Sequence, residues 1–360
     1  MTIPDSASTN RPLGGPALSV SYHNIDEGAE GQRIDNYLLR VLKGVPKSHV
    51  YRILRSGEVR VNKGRIDATY RLKIGDRVRV PPIRMEEKSA ARDEQHLQQQ
   101  AERLAFPVLL EDEALLVINK PAGVAVHGGS GISLGVIEAL RAQRPQAKFL
   151  ELVHRLDRET SGVLLVAKKR SALTHLHTQI RNESGDDLVG KSYLALVVGH
   201  IDKKRFHAKQ PLLKYLLADG ERRVRVDPTG QQSHTIFDVL GHFEGAGQSF
   251  TLVRATLKTG RTHQIRVHLQ AAGFPILGDE KYGLYDLNKT MARSFAQGGL
   301  GFKRMFLHAH QLSFIHPRTE AKVGVTAHLP EECGALLARL GQQGDVTGLA
   351  ALRDLQVNIE

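Results

Sequence analysis

The stretch "HRLDRETSG", His154 to Gly162, places five ionisable side chains within six residues: His154, Arg155, Asp157, Arg158 and Glu159. It leads straight into an apolar run, Val163 to Ala167, suited to a buried strand. An acid at the doorstep of a core is costly unless something holds its charge. Arg155 and Arg158 flank Asp157 and favour its ionised form. Thr160, Ser161 and Gly162 allow a tight turn that aims the preceding loop outward. Spacing alone leaves two readings open. Asp157 closes a structural ion pair across a turn, or it is a carboxylate presented to a ligand drawn into a basic site.

Other stretches invite chemistry and fail on context. "GDDLVGKS", Gly185 to Ser192, satisfies G-x-x-x-x-G-K-[ST]. A phosphate loop works when a strand leads in and a helix leads out, so that loop amides and the helix N-terminus converge on the phosphates. Here an amphipathic helix pattern precedes the loop and the β-rich "YLALVVGH" follows it. Asp186 and Asp187 would also face a polyphosphate. The glycine cluster "HGGSG", residues 127–131, lacks the following Lys-Ser/Thr and reads as a flexible loop. One cysteine, Cys333, excludes an intramolecular disulfide framework and a cysteine-rich zinc site. The 17 histidines show no H-E-x-x-H or comparable ligand spacing.

The elements that must carry these residues fall into two compositions. Across 360 residues, 50 Lys+Arg oppose 38 Asp+Glu, a net charge of +12. Residues 31–80 hold 13 Lys/Arg and four Asp/Glu, so one seventh of the chain carries +9, three quarters of the surplus. That concentration points to a nucleic-acid module rather than a generally charged surface. Within it, Ile34, Tyr37, Leu38, Val41 and Leu42 form one helix face closed by Gly44. "PKSHVYRILRSG" predicts a second helix with Val50, Ile53 and Leu54 inward and Gly57 as its stop. "EVRVNKGRI" predicts a strand turning at Asn62–Gly64, and "YRLKIGDRVRV" a strand pair around Gly75–Asp76. Lys47, Arg52, Arg55, Arg60 and Lys63 are the candidate phosphate contacts.

Residues 1–30 read as a disordered tail without the apolar middle of a secretory signal. Residues 85–105, charged and Gln-rich, read as a linker with some helical content. Residues 106–330 alternate short strands and turns with two clear helices. One is "SALTHLHTQIRNE" with Ser171 as N-cap; the other is "THQIRVHLQAAG" with Thr262 as cap and Gly273 as stop. Residues 331–360 read as a helical or frayed tail. No run approaches the roughly 18 apolar residues of a membrane span, which suits a cytoplasmic protein. Strands in series with few helices predict an α+β fold with a mixed, mostly antiparallel central sheet.

Two small helices feeding a basic hairpin resemble the alpha-L RNA-binding module over residues 31–84. "HRLDRETSG" is similar to the signature of the large-subunit-type branch of the RNA pseudouridine synthases. "NKPAG" (Asn119–Gly123) upstream, then "KSYLALVVGH", "GRTHQIRVHL", "GDEKYG" and "FLHAHQLSFIHP" follow in the family's order over roughly residues 108–330. The resemblance implies a pseudouridine synthase fold behind the small RNA-binding domain. It implies that Asp157 carries catalysis, by covalent attack on the ring or ribose or by taking a ribose proton. Tyr193 would stack on the target base, Arg266 would pair with the carboxylate, and Arg155 would help fill the gap left by an extruded uridine. No cofactor or metal is implied, and the partner is 23S ribosomal RNA or a large-subunit assembly intermediate, bound by a monomer. His263 and His268, beside Arg266, are expected to be structural or phosphate-facing, and Asn119–Lys120 architectural. The competing expectation is a non-enzymatic assembly factor that keeps the fold as a second grip on RNA.

Overall fold

The structure is a computed structural model that describes residues 19–26, 28–42, 45–83, 98–128, 134–181, 189–341 and 355. The chain divides into two compact units, Met1–His96 and Leu97–Glu360.

In the first unit the apolar periodicity yields α1 (Ile34–Val41) and α2 (Lys47–Arg55). A three-stranded antiparallel sheet joins β1 (Ser21–Asn24), β2 (Arg60–Val61) and β3 (Arg77–Val80) in the order β1-β3-β2. Ile34, Leu38, Val50, Ile53, Leu72 and Val78 fill its core. Two expectations need correction. The tail expected over residues 1–30 includes a strand, and Ile25 and Ala29 lie in the core; residues 1–18 and Gly44 lie outside the described residues. Around Gly75–Asp76 only the second half is a strand, and its partners are β1 and β2. Asp76 explains this, because its buried carboxylate accepts Lys73 N–H (2.9 Å), the Tyr70 hydroxyl (3.0 Å) and Asn62 Nδ2 (2.8 Å). Those bonds favour a turn over a ladder at residues 70–75.

The second unit runs α3 (described over 98–102), β4 (Val108–Glu111), β5 (Leu115–Lys120), α4 (Val136–Gln143), β6 (Glu151–Leu152), β7 (Ser161–Ala167) and α5 (Arg170–Arg181). It continues with β8 (Gly190–Val198), β9 (Arg205–Ala208), β10 (Leu212–Leu216), β11 (Arg222–Val226), β12 (Thr235–Gly245), β13 (Gln248–Leu257) and α6 (Gln264–Ala271). It closes with α7 (Tyr285–Met291), β14 (Leu307–Ile315), β15 (Lys322–Thr326) and α8 (Glu331–Gly341). Ten strands form one sheet in the order β4-β5-β7-β14-β8-β13-β12-β9, with β15 on β14 and β6 on β7. β7–β14 is parallel, and the other ladders of this sheet are antiparallel. The architecture is thus the α+β, mixed and mostly antiparallel one.

β7 is buried at every position, as its apolar run requires when both faces are covered. Gly162, at its start, has φ +112°, and a β-carbon there would lie 2.2 Å from the Ala309 carbonyl oxygen. Only glycine lets β7 approach β14 so closely. The linker and tail expectations shift at their inner ends. Gln143 Nε2 donates to the carbonyls of Ala101 (2.6 Å) and Leu104 (2.7 Å), docking the α3 segment on α4. α8 buries Cys333, Leu336, Leu337 and Leu340 against Phe243 and Phe250, so it is part of a core. Residues 84–97, and 342–360 apart from Leu355, lie outside the described residues.

Candidate active site

A cleft of about 890 Å³ opens beside the start of β7. Its walls are the loop 153–160, the first turns of β8, the end of β13 with the loop 258–263, the N-terminus of α6 and the end of α5. Six lysines and arginines line it: Arg155, Arg181, Lys191, Lys258, Arg261 and Arg266. Among the described residues the lining contains one carboxylate, Asp157. Such a cleft concentrates anions and presents them with a single acid.

The loop bearing Asp157 is stapled from behind by "NKPAG". Lys120 is fully buried, and its ammonium donates to the carbonyls of Pro121 (2.8 Å), Val124 (2.8 Å) and Arg158 (3.0 Å). Gly123 N–H donates to Arg158 O, and Arg158 Nε returns a bond to Gly123 O, both at 2.9 Å. Burial pulls the Lys120 ammonium down to about 7, with Arg304 adding to the effect and Glu159 and Asp157 opposing it. Behind the turn, Arg304 donates to Ser161 Oγ (2.8 Å), which lies 2.9 Å from His308 Nδ1. These bonds fix where β7 begins, and therefore where Asp157 stands.

Arg266, on α6, donates through Nη1 to Asp157 Oδ2 at 2.9 Å. The rest of its guanidinium is clamped by Asp279, with Nε to Oδ2 at 2.7 Å and Nη2 to Oδ1 at 2.8 Å. Asp279 also accepts the N–H groups of Lys281 (2.9 Å) and Tyr282 (3.0 Å). The Arg266 side chain is 7% exposed and that of Asp279 1%, against 28% for Asp157. Burial works against the Arg266 charge, but the hydrogen bonds and charge of Asp279, joined by Asp157, outweigh it and raise its pKa. Burial likewise opposes ionisation of Asp279, and Arg266 more than offsets that, holding the acid below its usual range. The result is a planar, bidentate anchor that directs one remaining N–H at Asp157.

His263 stands at the N-cap of α6 in a left-handed conformation, φ +53°, so Thr262 is not the cap. The Gln264 side chain serves the helix start instead, accepting from Arg261 N–H (3.0 Å) and the Thr259 hydroxyl (2.8 Å). That backbone turn carries the His263 ring into the cleft. Its Nδ1 lies 2.7 Å from the Tyr282 hydroxyl, which already accepts Val224 N–H at 2.9 Å. The ring's other nitrogen, Nε2, lies 3.8 Å from Asp157 Oδ1. Burial lowers the His263 pKa, which keeps the ring neutral. His268, by contrast, is buried between Ser233 and Thr235 hydroxyls, both at 2.9 Å.

Tyr193, on β8, is buried, with Ala255 and Ala309 as its neighbours on the flanking strands. Burial raises its pKa, with the nearby charge of Asp157 adding to the effect, so it is a neutral phenol. Its ring lines the cleft and belongs to the main core as well. Arg155 lines the same cleft, exposed, with no ion pair or side-chain hydrogen bond among the described residues. The structure thus gathers Asp157, Tyr193, Arg266 and Arg155 around one opening. Lys47, Arg52, Arg55, Arg60 and Lys63 belong to the other unit, where all five are exposed. Arg52 approaches Glu58 (3.5 Å) and His49 (3.2 Å), while Arg55 and Arg60 bond only backbone carbonyls among the described residues, at 3.3 Å each.

Asp279, Tyr282 and the orientation of His263 escape a reading of the chain. "GDEKYG" contains the first two, and an acid shortly after an arginine-bearing helix was the available signal. The segment 182–188 of the phosphate-loop pattern lies outside the described residues, as do residues 129–131 of the glycine cluster. α5 precedes the former and β8 follows it. α5 starts at Arg170, so Ser171 lies inside it rather than capping it. Among the described residues no cluster of three His, Cys, Asp or Glu side chains could hold a metal, and no helix is long and apolar enough to cross a membrane.

Two family models match the chain: RNA pseudouridylate synthase over residues 114–271 and S4 domain over residues 32–78. Ribosomal large subunit pseudouridine synthase C of Pasteurella multocida is 53% identical over 325 residues, covering 90% of this chain and 95% of that protein. The protein of the same name from Escherichia coli K12 is 51% identical, covering 90% and 97%. Among solved structures, human RNA pseudouridylate synthase domain containing 4 superposes with a TM-score of 0.53 at 27% identity, covering 70% of this chain and 98% of that one.

Proposed function

The chain belongs to the RNA pseudouridine synthases, and on that premise we propose that it isomerises uridines of 23S ribosomal RNA through Asp157. The relatives that match nearly its whole length are named for the large ribosomal subunit. The observation that carries the reading is a cationic cleft whose one carboxylate among the described residues is Asp157, with Oδ2 held by Arg266 and Oδ1 left for chemistry.

The reaction breaks the N1–C1′ bond, turns the uracil and forms a C5–C1′ bond. The C5 proton leaves to a base and N1 gains a proton, so the product is an isomer and no co-reactant is consumed. Asp157 begins it from Oδ1, either by covalent attack or by taking a ribose proton. Arg266 fixes the direction of the carboxylate. A uridine stacked in RNA is out of reach of so recessed a group, so it is swung out at a cost of a few kcal/mol. Tyr193 offers its ring to the base, and Arg155, flat, cationic and unpaired, fills the vacated stack. The basic module, residues 31–84, supplies backbone contacts elsewhere on the RNA.

The test uses large-subunit RNA carrying tritium at uridine C5. The expected result is tritium released to water in step with a uridine isomer of unchanged mass. Release from other RNAs but not from this one would overturn the target, and no release from any RNA would overturn the reaction.

A further inference from the structure

Lys191 is a cation without a counter-charge among the described residues. It lies on β8 two residues before Tyr193, so the two side chains leave the same face of the sheet and line the same cleft. Its ammonium reaches over Gly260: a β-carbon built on that glycine would stand 4.0 Å from Nζ. The head group therefore sits against the loop 258–263 and within the cleft. It makes no hydrogen bond or ion pair among the described residues. Burial pulls its pKa below the usual lysine value, with no acid acting in the other direction.

A half-buried ammonium without a partner among the described residues is unfavourable to hold. No structural element gains from it here, unlike Lys120, whose three carbonyl partners are all supplied by the protein. The carboxylate in the cleft, Asp157, is engaged by Arg266. An anion that arrives with the ligand would complete the site. A nucleotide rotated out of its stack brings its own phosphates along, and near Asp157 a phosphate requires a cation to offset the repulsion between them.

We propose that Lys191 seats a phosphate of the RNA backbone, a non-bridging oxygen of the phosphodiester next to the target uridine. This rests on the reading that the cleft receives an extruded uridine. A lysine suits the task as a compact point charge that tolerates variation in sugar pucker and approach.

The experiment compares wild type, K191M and K191R, with RNA affinity measured across a salt series and turnover by tritium release. K191M is expected to bind a uridine-containing 23S fragment about tenfold more weakly. Its slope of log affinity against log salt should be shallower by about 0.7 to 0.9, one phosphate contact. K191R should keep the slope, and melting temperatures should not fall in either variant. Replacing the phosphodiester beside the target uridine with an uncharged methylphosphonate should weaken wild type by the same factor and K191M hardly at all. Unchanged affinity and slope in K191M with a fall in kcat would place the ammonium on the base and overturn the proposal. So would an equal methylphosphonate penalty in both proteins. If wild type released no tritium while K191M still lost the salt contact, the reaction assigned to the cleft would fail and the phosphate seat would stand.

Discussion

In the N-terminal unit the cations stand outside: Lys47, Arg52, Arg55, Arg60 and Lys63 are all exposed, and their few bonds reach at most six residues along the chain. In the larger unit the decisive cation is inside. Arg266 bridges Asp157, 109 residues earlier, and Asp279, 13 residues later. Exposed charges on small elements act as a set, each worth little and each replaceable. A buried ion pair has no substitute, because loss of one member strands the other out of water. The first arrangement suits a graded grip on a polyanion. The second suits a reaction that must place one carboxylate within a fraction of an ångström.

The contrast breaks most sharply at Asp157. D157N should lower kcat by at least about 10³-fold while RNA affinity changes by less than about threefold; turnover near wild type would remove the carboxylate from the chemistry. Next in size is the anchor. R266M and D279N should each cost about 3 kcal/mol of stability in a denaturant titration, because each leaves a buried charge unpaired. The double variant R266M/D279N should recover part of that loss and still be slow. Equal stability of all three would show that the pair is not desolvated as its burial implies.

The exposed set should behave in the opposite way. Changing Arg52, Arg55, Arg60 and Lys63 singly to Gln should weaken RNA binding only severalfold. Changing all four should flatten the salt slope by about 3 and leave kcat at saturation unchanged. A single module variant that abolished turnover would erase the distinction between the two units. The smallest effect belongs to Lys120. Its value of about 7 lies below the 10.5 of an ordinary lysine, so between those pH values the unfolded chain binds the extra proton. Stability from this site therefore rises with pH across that window and is level below it. Relative to K120M, wild type should gain about 1 kcal/mol between pH 8 and pH 9, read from paired unfolding curves.

The same contrast explains what could be read from the chain. Local signals were legible: the apolar face of α1, the stop of α6 at Gly273, the buried run of β7 and the concentration of charge over residues 31–80. That Asp157, Tyr193 and Arg266 line one cleft was legible because the motifs that carry them are continuous in sequence. What escaped is set by partners far away or by departures from a local rule. β1 looked like tail because a four-residue strand with exposed positions is defined by its ladder to β3, not by its own pattern. Thr262 looked like a helix cap, but the chain spends His263 on a left-handed turn that no periodicity announces. Asp279 sits in a turn, and its value lies wholly in the arginine it meets. α8 read as a helical or frayed tail, and its packing escaped because the phenylalanines that cover it belong to β12 and β13.

The strand order has a consequence in time. β14 is hydrogen-bonded between β7 and β8, yet it is made more than a hundred residues after both. While the nascent chain is still shorter than about residue 315, the two strands that flank the cleft lack the one that joins them. The ladder that sets Ser161 and Tyr193 in register cannot close until synthesis has passed β14. A chain stopped before β14 would thus carry the basic N-terminal unit with its own core, but not the joined strands that flank Asp157.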